Sequence, residues 1–298
     1  MKKLIVTHSG TFHPDDLLAC TVIKIIEERQ GNSVGIMRSR KEEDWARGDY
    51  VIDVGSVYDP EHNRFDHHQK GGAGGRENGI KYSSLGLVWQ KFGIEFCEGN
   101  EEIANKIDKK IVEATDALDN GQVVVESKYK DVYPYTLYDV FDLYRPAWHE
   151  KHKTFDEGFL EAVTFVERFL LREVEMEKAL IVARERVHAL LADREDRRLL
   201  VMDEYIPIHN DIYEKEKELL FVVSPDPSGR WAVHTVPAAL HTYDSRKLFP
   251  RNWAGKTEDE LAKVTGIGDA LFCHNARFIA VAASKEGAIA LAKLALAE

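Results

Sequence analysis

Long apolar runs are missing from this sequence. No stretch approaches the roughly 18 uncharged apolar residues that a bilayer-spanning helix needs, which excludes such a helix. Cysteine is scarce: Cys20, Cys97 and Cys273 lie far apart with no paired spacing, so they read as core thiols in a reducing compartment rather than a disulfide framework. Positive charge is also short. The 40 Lys and Arg face 51 Asp and Glu, a formal net charge of −11, which argues against broad electrostatic adhesion to nucleic acid. A local basic groove, or divalent cations at a carboxylate-rich site, is still compatible with that balance. The His-Glu-x-x-His pattern of helix-borne zinc peptidases is absent. The first seven residues carry an apolar stretch too short for a signal-peptide core, with Asp15 and Asp16 close behind, and the expected location is cytoplasmic.

What is present is an ordinary folding composition, 44% hydrophobic and 31% charged, far from that of a disordered chain. The length of 298 residues allows two domains of about 100–200 residues each. Residues 4–6 read as a short strand ending at His8, and 17–26 have the length and content of a helix. Residues 34–37 and 50–55 read as further strands, the latter finishing in Asp53 and a glycine turn. Strands separated by helices imply a parallel sheet. The glycine-rich stretch 71–75 reads as a mobile loop, Ser83 or Ser84 as the cap of a helix through Phe92, and 101–118 as a helix by its apolar spacing. Residues 154–196 lack proline and read as one or two long helices. Strand-like runs return at 199–202, 219–223, 231–236 and 278–283, with a hairpin turn at 224–229 and an alanine-rich helix at 284–296. The expected fold is α/β: a mainly parallel domain over 1–150, a helical connector over 151–198, and a smaller C-terminal α/β domain over 199–298.

Among the imidazoles and carboxylates of the first 120 residues, ten stand out as candidates: His8, His13, Asp15, Asp16, Asp53, Asp66, His67, His68, Asp116 and Asp119. Taken singly, each has a plain structural explanation. Asp15 and Asp16 complement a helix N-terminus, and Asp119-Asn120-Gly121 reads as a helix end and turn. Their conjunction is the signal, because His8 and Asp53 fall at the carboxyl ends of strands, where open parallel sheets bind ligands. A mixed imidazole and carboxylate set suits Mn, Fe, Co or Zn, and favours Mn here. Two such ions about 3.5–4 Å apart polarise a phosphoryl group and lower the pKa of water. That geometry needs a shared carboxylate, for which Asp53 is the natural candidate.

At Asp66-His67-His68, preceded by Asp53 and the Asp15 loop, the sequence resembles the DHH phosphoesterase superfamily, which includes RecJ-like exonucleases, nano-RNases and family II inorganic pyrophosphatases. More closely, stretches 7–16, 53–55, 58–60, 64–69 and 116–121 resemble the melanocyte-proliferating-gene family. The likeness continues through Ser245-Arg246-Lys247, Pro250, Trp253-Ala254-Gly255, Thr265-Gly266-Ile267 and Phe272-Cys273-His274. It implies a doubly wound N-terminal domain and a metal-dependent hydrolase of phosphoester bonds, a 3′–5′ exonuclease or oligonucleotide phosphodiesterase acting on RNA. The other readings are a small-molecule phosphatase or pyrophosphatase, and a catalytically silent, metal-stabilised nucleic-acid-binding protein.

Carried over by residue, the resemblance gives His8, Asp15, Asp53 and His67 as ligands of two divalent ions, Mn with Co or Mg as alternatives, and His68 as the group nearest the substrate phosphate. Asp66 is a supporting acceptor, Arg64 a further stabiliser of phosphoryl charge, and the last ligand is Asp116 or Asp119, with Asp119 preferred. The superfamily's second opening aspartate is replaced by Leu17, so His13 or Asp16 has to stand in for it. Arg246, Lys247 and His274 are expected to hold distal phosphates, with Trp253 stacking a base. Arg277, where the family tends to have glycine, is a candidate phosphate contact. Homo-oligomerisation is a further expectation.

Overall fold

A computed structural model describes residues 1–239, 242 and 244–298. The chain divides into two compact units, Met1–Glu177 and Lys178–Glu298.

The first unit is built on the strands β1 (Lys2–Thr7), β2 (Ser33–Arg38), β3 (Tyr50–Ile52), β4 (Tyr58–Asp59) and β5 (Arg64–Phe65), in the spatial order β2-β1-β3-β5-β4. Every pair is parallel except β4 with β5. Because β2 and β3 flank β1 on opposite sides, the order reverses at β1, and the carboxyl ends of β1 and β3 border the kind of crevice in which such sheets bind ligands. β3 is shorter than the sequence suggests. It stops at Ile52 because Asp53 turns left-handed, with φ 55°, a conformation that aspartate tolerates better than most residues.

The helices of this unit are α1 (Pro14–Arg29), α2 (Glu42–Trp45), α3 (Ser84–Phe96), α4 (Glu101–Ile107), α5 (Glu113–Asp119) and α6 (Leu137–Asp142). α1 starts with Pro14, whose fixed φ suits a first turn, and with Asp15 and Asp16, which complement the helix dipole. Its buried Leu17, Leu18, Val22, Ile25 and Ile26 make it a core helix. On the other face of the sheet, Val6, Val51 and Val54 form a cluster covered by Trp45. The single helix expected over 101–118 is divided by a π-helical turn, Asp108–Val112, the type of irregularity that often accompanies functional sites. The glycine-rich stretch read as mobile leads into a tight turn, where the Arg76 N–H donates to Ile80 O at 2.7 Å and Gly75 bridges Lys81.

α7 (Phe155–Ala192) is one uninterrupted helix, and the division between units falls within it. Thr154 and Glu157 cap its start reciprocally: Thr154 N–H donates to the Glu157 carboxylate at 2.7 Å, and Glu157 N–H to the threonine hydroxyl at 3.2 Å.

In the second unit the strands β6 (Leu199–Val201), β7 (Phe221–Pro225), β8 (Trp231–Thr235), β9 (Ala270–Cys273) and β10 (Ile279–Ala282) run in the order β6-β7-β8-β10-β9, with only β6 and β7 parallel. Asp226 and Gly229 turn the β7–β8 hairpin. The helices are α8 (Asn210–Lys215), α9 (Glu258–Thr265) and α10 (Lys285–Ala297). Ala288, Leu291, Ala292 and Ala295 of α10 join a core with Phe221, Val223, Phe249 and Trp253. All three cysteines are buried. Among the described residues, no helix is long and apolar enough to cross a membrane.

Candidate metal centre

Five strand or helix ends deliver side chains to one place. His8 follows β1, His13 and Asp15 flank the start of α1, Asp53 follows β3, His67 follows β5, and Asp119 ends α5. Three overlapping triplets result: His8, His13 and Asp53; Asp53, His67 and His68; His13, Asp15 and Asp119. Within each, one nitrogen or oxygen per residue lies within 4.8 Å of the others. The two oxygens of Asp53 face different imidazoles. Oδ2 is 3.2 Å from His8 Nε2, and Oδ1 is 3.4 Å from His67 Nε2 while accepting from Ser84 Oγ at 2.9 Å.

The electrostatics show what this arrangement lacks. Asp15 is wholly buried, and burial together with the carboxylates of Asp53, Asp119 and Asp16 pushes its carboxyl well above the usual range. Asp16 is pushed up to about 7, again mainly by burial. Burial also works against ionisation of Asp53, yet His67 and His8 beside it hold that carboxyl far below its ordinary value. His67 is driven the other way: burial disfavours its charge, but Asp119 and Asp53 outweigh burial and raise it to about 10. His13, with less carboxylate compensation, is lowered by burial. Buried carboxylates repelling one another around imidazoles are a donor set that a divalent cation would satisfy. Two buried atoms sharpen the point, since Asp15 Oδ1 and His67 Nε2 have no hydrogen-bond partner among the described residues. Polar atoms are rarely left this way in a core without a reason. The residues present therefore fit a metal ion.

Around this group, supporting contacts sort the remaining candidates. Asp66 Oδ1 accepts from His68 N at 3.0 Å and pairs with His68 Nδ1 at 2.8 Å, while Oδ2 accepts from Ser56 N at 2.6 Å; Asp66 thus orients His68. His68 is more than half exposed, with its pKa raised chiefly by Asp66. Asp16 Oδ1 accepts from the His13 backbone at 2.8 Å, so that oxygen fixes the helix start, and its Oδ2 lies 3.4 Å from His8 Nε2. Asp116 is turned away. Its Oδ1 accepts from Ser83 N, Ser83 Oγ and Gly86 N at 2.7–3.1 Å, and its Oδ2 from Arg76 Nε and Nη2 at 3.1 and 2.8 Å. A methyl group on Gly86 would collide with both Asp116 oxygens.

Several other predicted residues have partners of a different kind. Arg64 points its Nη1 at the carbonyls of His62 and Asn63, at 3.0 and 3.4 Å, away from the metal triplets. In the second unit, Trp253 is fully buried and stacked on Phe249, which corrects its reading as a base platform: no ring face is open to a ligand. Arg246 spends its guanidinium on the carbonyls of Tyr213, Glu216 and Leu219. Lys247 Nζ donates to Leu296 O at 3.5 Å, His274 Nδ1 accepts from Ala276 N, and Arg277 donates to Phe249 O. Arg277 has φ 61°, a backbone position that favours glycine for steric reasons. The sequence reading missed Arg76, Ser83, Ser84 and Tyr138, whose hydroxyl donates to Asp119 Oδ1 at 3.4 Å. None carries a local signal: the serines read as helix caps, and their hydroxyls bond to distant carboxylates instead.

Comparison with known proteins gives the lineage. Residues 4–296 match the MYG1 exonuclease family model, described as "Uncharacterised protein family (UPF0160)". The chain is 31% identical to the MYG1 exonuclease of Rattus norvegicus, covering 99% of this chain and 84% of that one. It is 30% identical to the MYG1 exonuclease of Homo sapiens, over 99% and 86%, and 30% identical to a MYG1 protein of Saccharomyces cerevisiae, over 100% and 96%. A solved structure of RecJ with Mn2+ from Thermus thermophilus aligns at 12% identity and a TM-score of 0.29 over 99% of this chain and 52% of that one, and a manganese-bound exonuclease RecJ at 12% and 0.30, over 99% and 89%. With nearly its whole length matched by the family model and by relatives from yeast to mammals, this chain belongs to the MYG1 exonuclease family.

Proposed function

We propose that this protein is a divalent-metal-dependent phosphoesterase that shortens single-stranded RNA from its 3′ end. The observation that carries the reading is the convergence of His8, His13, Asp15, Asp53, His67 and Asp119, with two of their buried polar atoms lacking any partner. These six residues would hold two ions, His13 taking the place of the missing opening aspartate, Asp53 serving both ions, and the mixed donor set favouring manganese. The ions, when bound, supply Lewis acidity toward a phosphoryl oxygen and lower the pKa of the attacking water.

The rest of the work falls to the protein's own groups. With Nδ1 of His68 held by Asp66, its Nε2 is left to donate to a phosphoryl oxygen, and the raised pKa favours the cationic ring as negative charge develops there. Ser84 fixes one Asp53 oxygen. Asp116 and Arg76 hold α3 and α5 in register, a supporting role rather than a ligand's, and the contacts of Arg246 and Trp253 likewise favour structural roles. The exonuclease names of the mammalian relatives agree with this reading.

The test is to strip the protein of metal, titrate in Mn, Co or Mg, and assay 5′-labelled short RNA, DNA, a cyclic dinucleotide, pyrophosphate and an aryl phosphodiester. A ladder of RNA products shortened from the 3′ end is expected with Mn. Cleavage of pyrophosphate alone would select the small-molecule phosphatase reading, and metal uptake without hydrolysis would select the silent binding protein.

A further inference from the structure

We infer that Arg40, on the segment between β2 and α2, is a phosphate-binding residue of this centre; the inference rests on the phosphoesterase reading above. A cavity of about 450 Å³ lies against His8, His13, Asp53 and His68, and Arg40 is the one Arg or Lys in its lining. The neighbouring arginines have their charge committed. Arg38 pairs with Asp156 at 2.7 Å, Arg76 with Asp108 and Asp116 at 2.6 and 2.8 Å, and Arg145 with Asp142 at 2.7 Å. Among the described residues, Arg40 has no carboxylate within ion-pair distance. Its cation is uncompensated at the rim of a site built to receive anions.

The guanidinium is also held with part of its fork free. Nε donates to Ser9 O at 3.1 Å and Nη2 to His8 Nδ1 at 3.0 Å, while Nη1 makes no bond among the described residues. Nη1 and the second Nη2 hydrogen can therefore meet two phosphate oxygens side by side, the geometry at which arginine excels. The contact with His8 is exchangeable. A guanidinium only donates, so it needs an unprotonated Nδ1; a His8 that engages a cation through Nε2 carries its proton on Nδ1 and has Ser9 O, 3.3 Å away, to receive it. In that tautomer Arg40 gives up Nδ1 and gains a second free donor toward the cavity.

The segment that carries Arg40 is tied down at Ser39. Ser39 N–H donates to Thr7 O at 2.8 Å, Ser39 Oγ to Asp44 at 2.6 Å, and Trp45 Nε1 to Ser39 O at 3.1 Å. Residue 39 is thus tied to the end of β1, from which His8 also projects. A phosphate bound by Arg40 would be registered against the same strand end as the metal donors.

The probe is adenosine 5′-monophosphate, titrated calorimetrically into Mn-loaded wild type, Arg40→Gln and Arg40→Lys, with adenosine as the control lacking phosphate and Mn uptake measured in parallel. Arg40→Gln should weaken the monophosphate at least 10-fold and leave Mn stoichiometry and affinity unchanged. Arg40→Lys, which keeps the charge without the fork, should fall between. On short RNA, KM should rise more than kcat falls. Equal monophosphate affinity in wild type and Arg40→Gln overturns the inference, as does a wild type that does not bind the nucleotide. Loss of Mn along with phosphate also overturns it, since Arg40 would then serve His8. If loaded wild type hydrolyses no phosphoester yet binds the monophosphate through Arg40, the functional reading fails and this one stands.

Discussion

Asp119 Oδ2 lies 3.2 Å from Nε2 of His67, yet that nitrogen has no hydrogen bond. The two atoms are close without the alignment of donor and acceptor, which is how two ligands of one cation stand. Asp119→Ala should lower affinity for Mn by at least about 10-fold, the scale on which even outer-shell losses are felt, with little change in the unfolding temperature of metal-free protein. Asp116→Ala should do the reverse. It leaves Arg76 with Asp108 alone and takes the acceptor from Ser83 N, Ser83 Oγ and Gly86 N, and should cost about 1–3 kcal/mol of stability, read from denaturant midpoints. Equal effects of the two changes on Mn affinity would erase the distinction drawn between them.

The charge on His67 gives a pH test. Burial opposes that charge, but Asp119 and Asp53 carry the imidazole from its ordinary value of 6.5 up to about 10 in the metal-free protein. A raised imidazole pKa contributes stability that is complete below about 6.5 and disappears as pH rises through about 10. A cation taking Nε2 has to displace the proton there. Calorimetric titration of Mn at pH 8, in two buffers of different ionisation enthalpy, should therefore report net proton release. Heats independent of buffer would contradict it.

Gly86 is required for close approach. Gly86→Ala would set a methyl group into the Asp116 carboxylate, and overpacking of this kind costs about 1–3 kcal/mol. The expected readout is a lower denaturation midpoint, with Mn affinity per folded molecule preserved.

Trp253→Ala should cost about 3–5 kcal/mol, as for other fully buried large side chains. A stable Trp253→Ala protein whose only defect is weaker RNA binding would restore the base-stacking role.

At Arg277 two effects can be separated. Arg277→Ala loses the 2.9 Å bond to Phe249 O and keeps the left-handed strain, while Arg277→Gly loses the bond and relieves the strain. The glycine variant should be the more stable of the two by about 1 kcal/mol. Equal denaturation midpoints would remove the steric account of that turn.

The sheet and the convergence of most candidate donors were legible in the sequence because short apolar runs ended in His8 and Asp53, and strand ends are where parallel sheets expose side chains. Helix starts were legible at Thr154 and Ser284, and nearly so at Asp15 and Asp16, where local chemistry decides. Long-range partners were not. Ser83 and Ser84 look like caps, but their hydroxyls go to Asp116 and Asp53, contacts that exist only once α3 packs beside α5 and β3. Arg64 stands next to the DHH run, yet neighbours on a strand face opposite ways: Phe65 enters the core and Arg64 does not. Trp253 and Arg246 carry the residue types of a binding surface, and composition does not separate a ring or guanidinium that meets ligand from one that meets backbone and core. The π turn at 108–112 likewise has no sequence signature strong enough to interrupt a regular apolar spacing.

The left-handed backbone at Asp53 bears on how this lineage can lose its chemistry. A descendant that abandons metal cannot drift freely at that position, because branched or bulky residues would strain the bend after β3. Asparagine and glycine are the cheap exits. A paralogue with either one at the equivalent of residue 53, and an intact Asp66-His67-His68 run, would be a molecule that has kept its shape after giving up its ions.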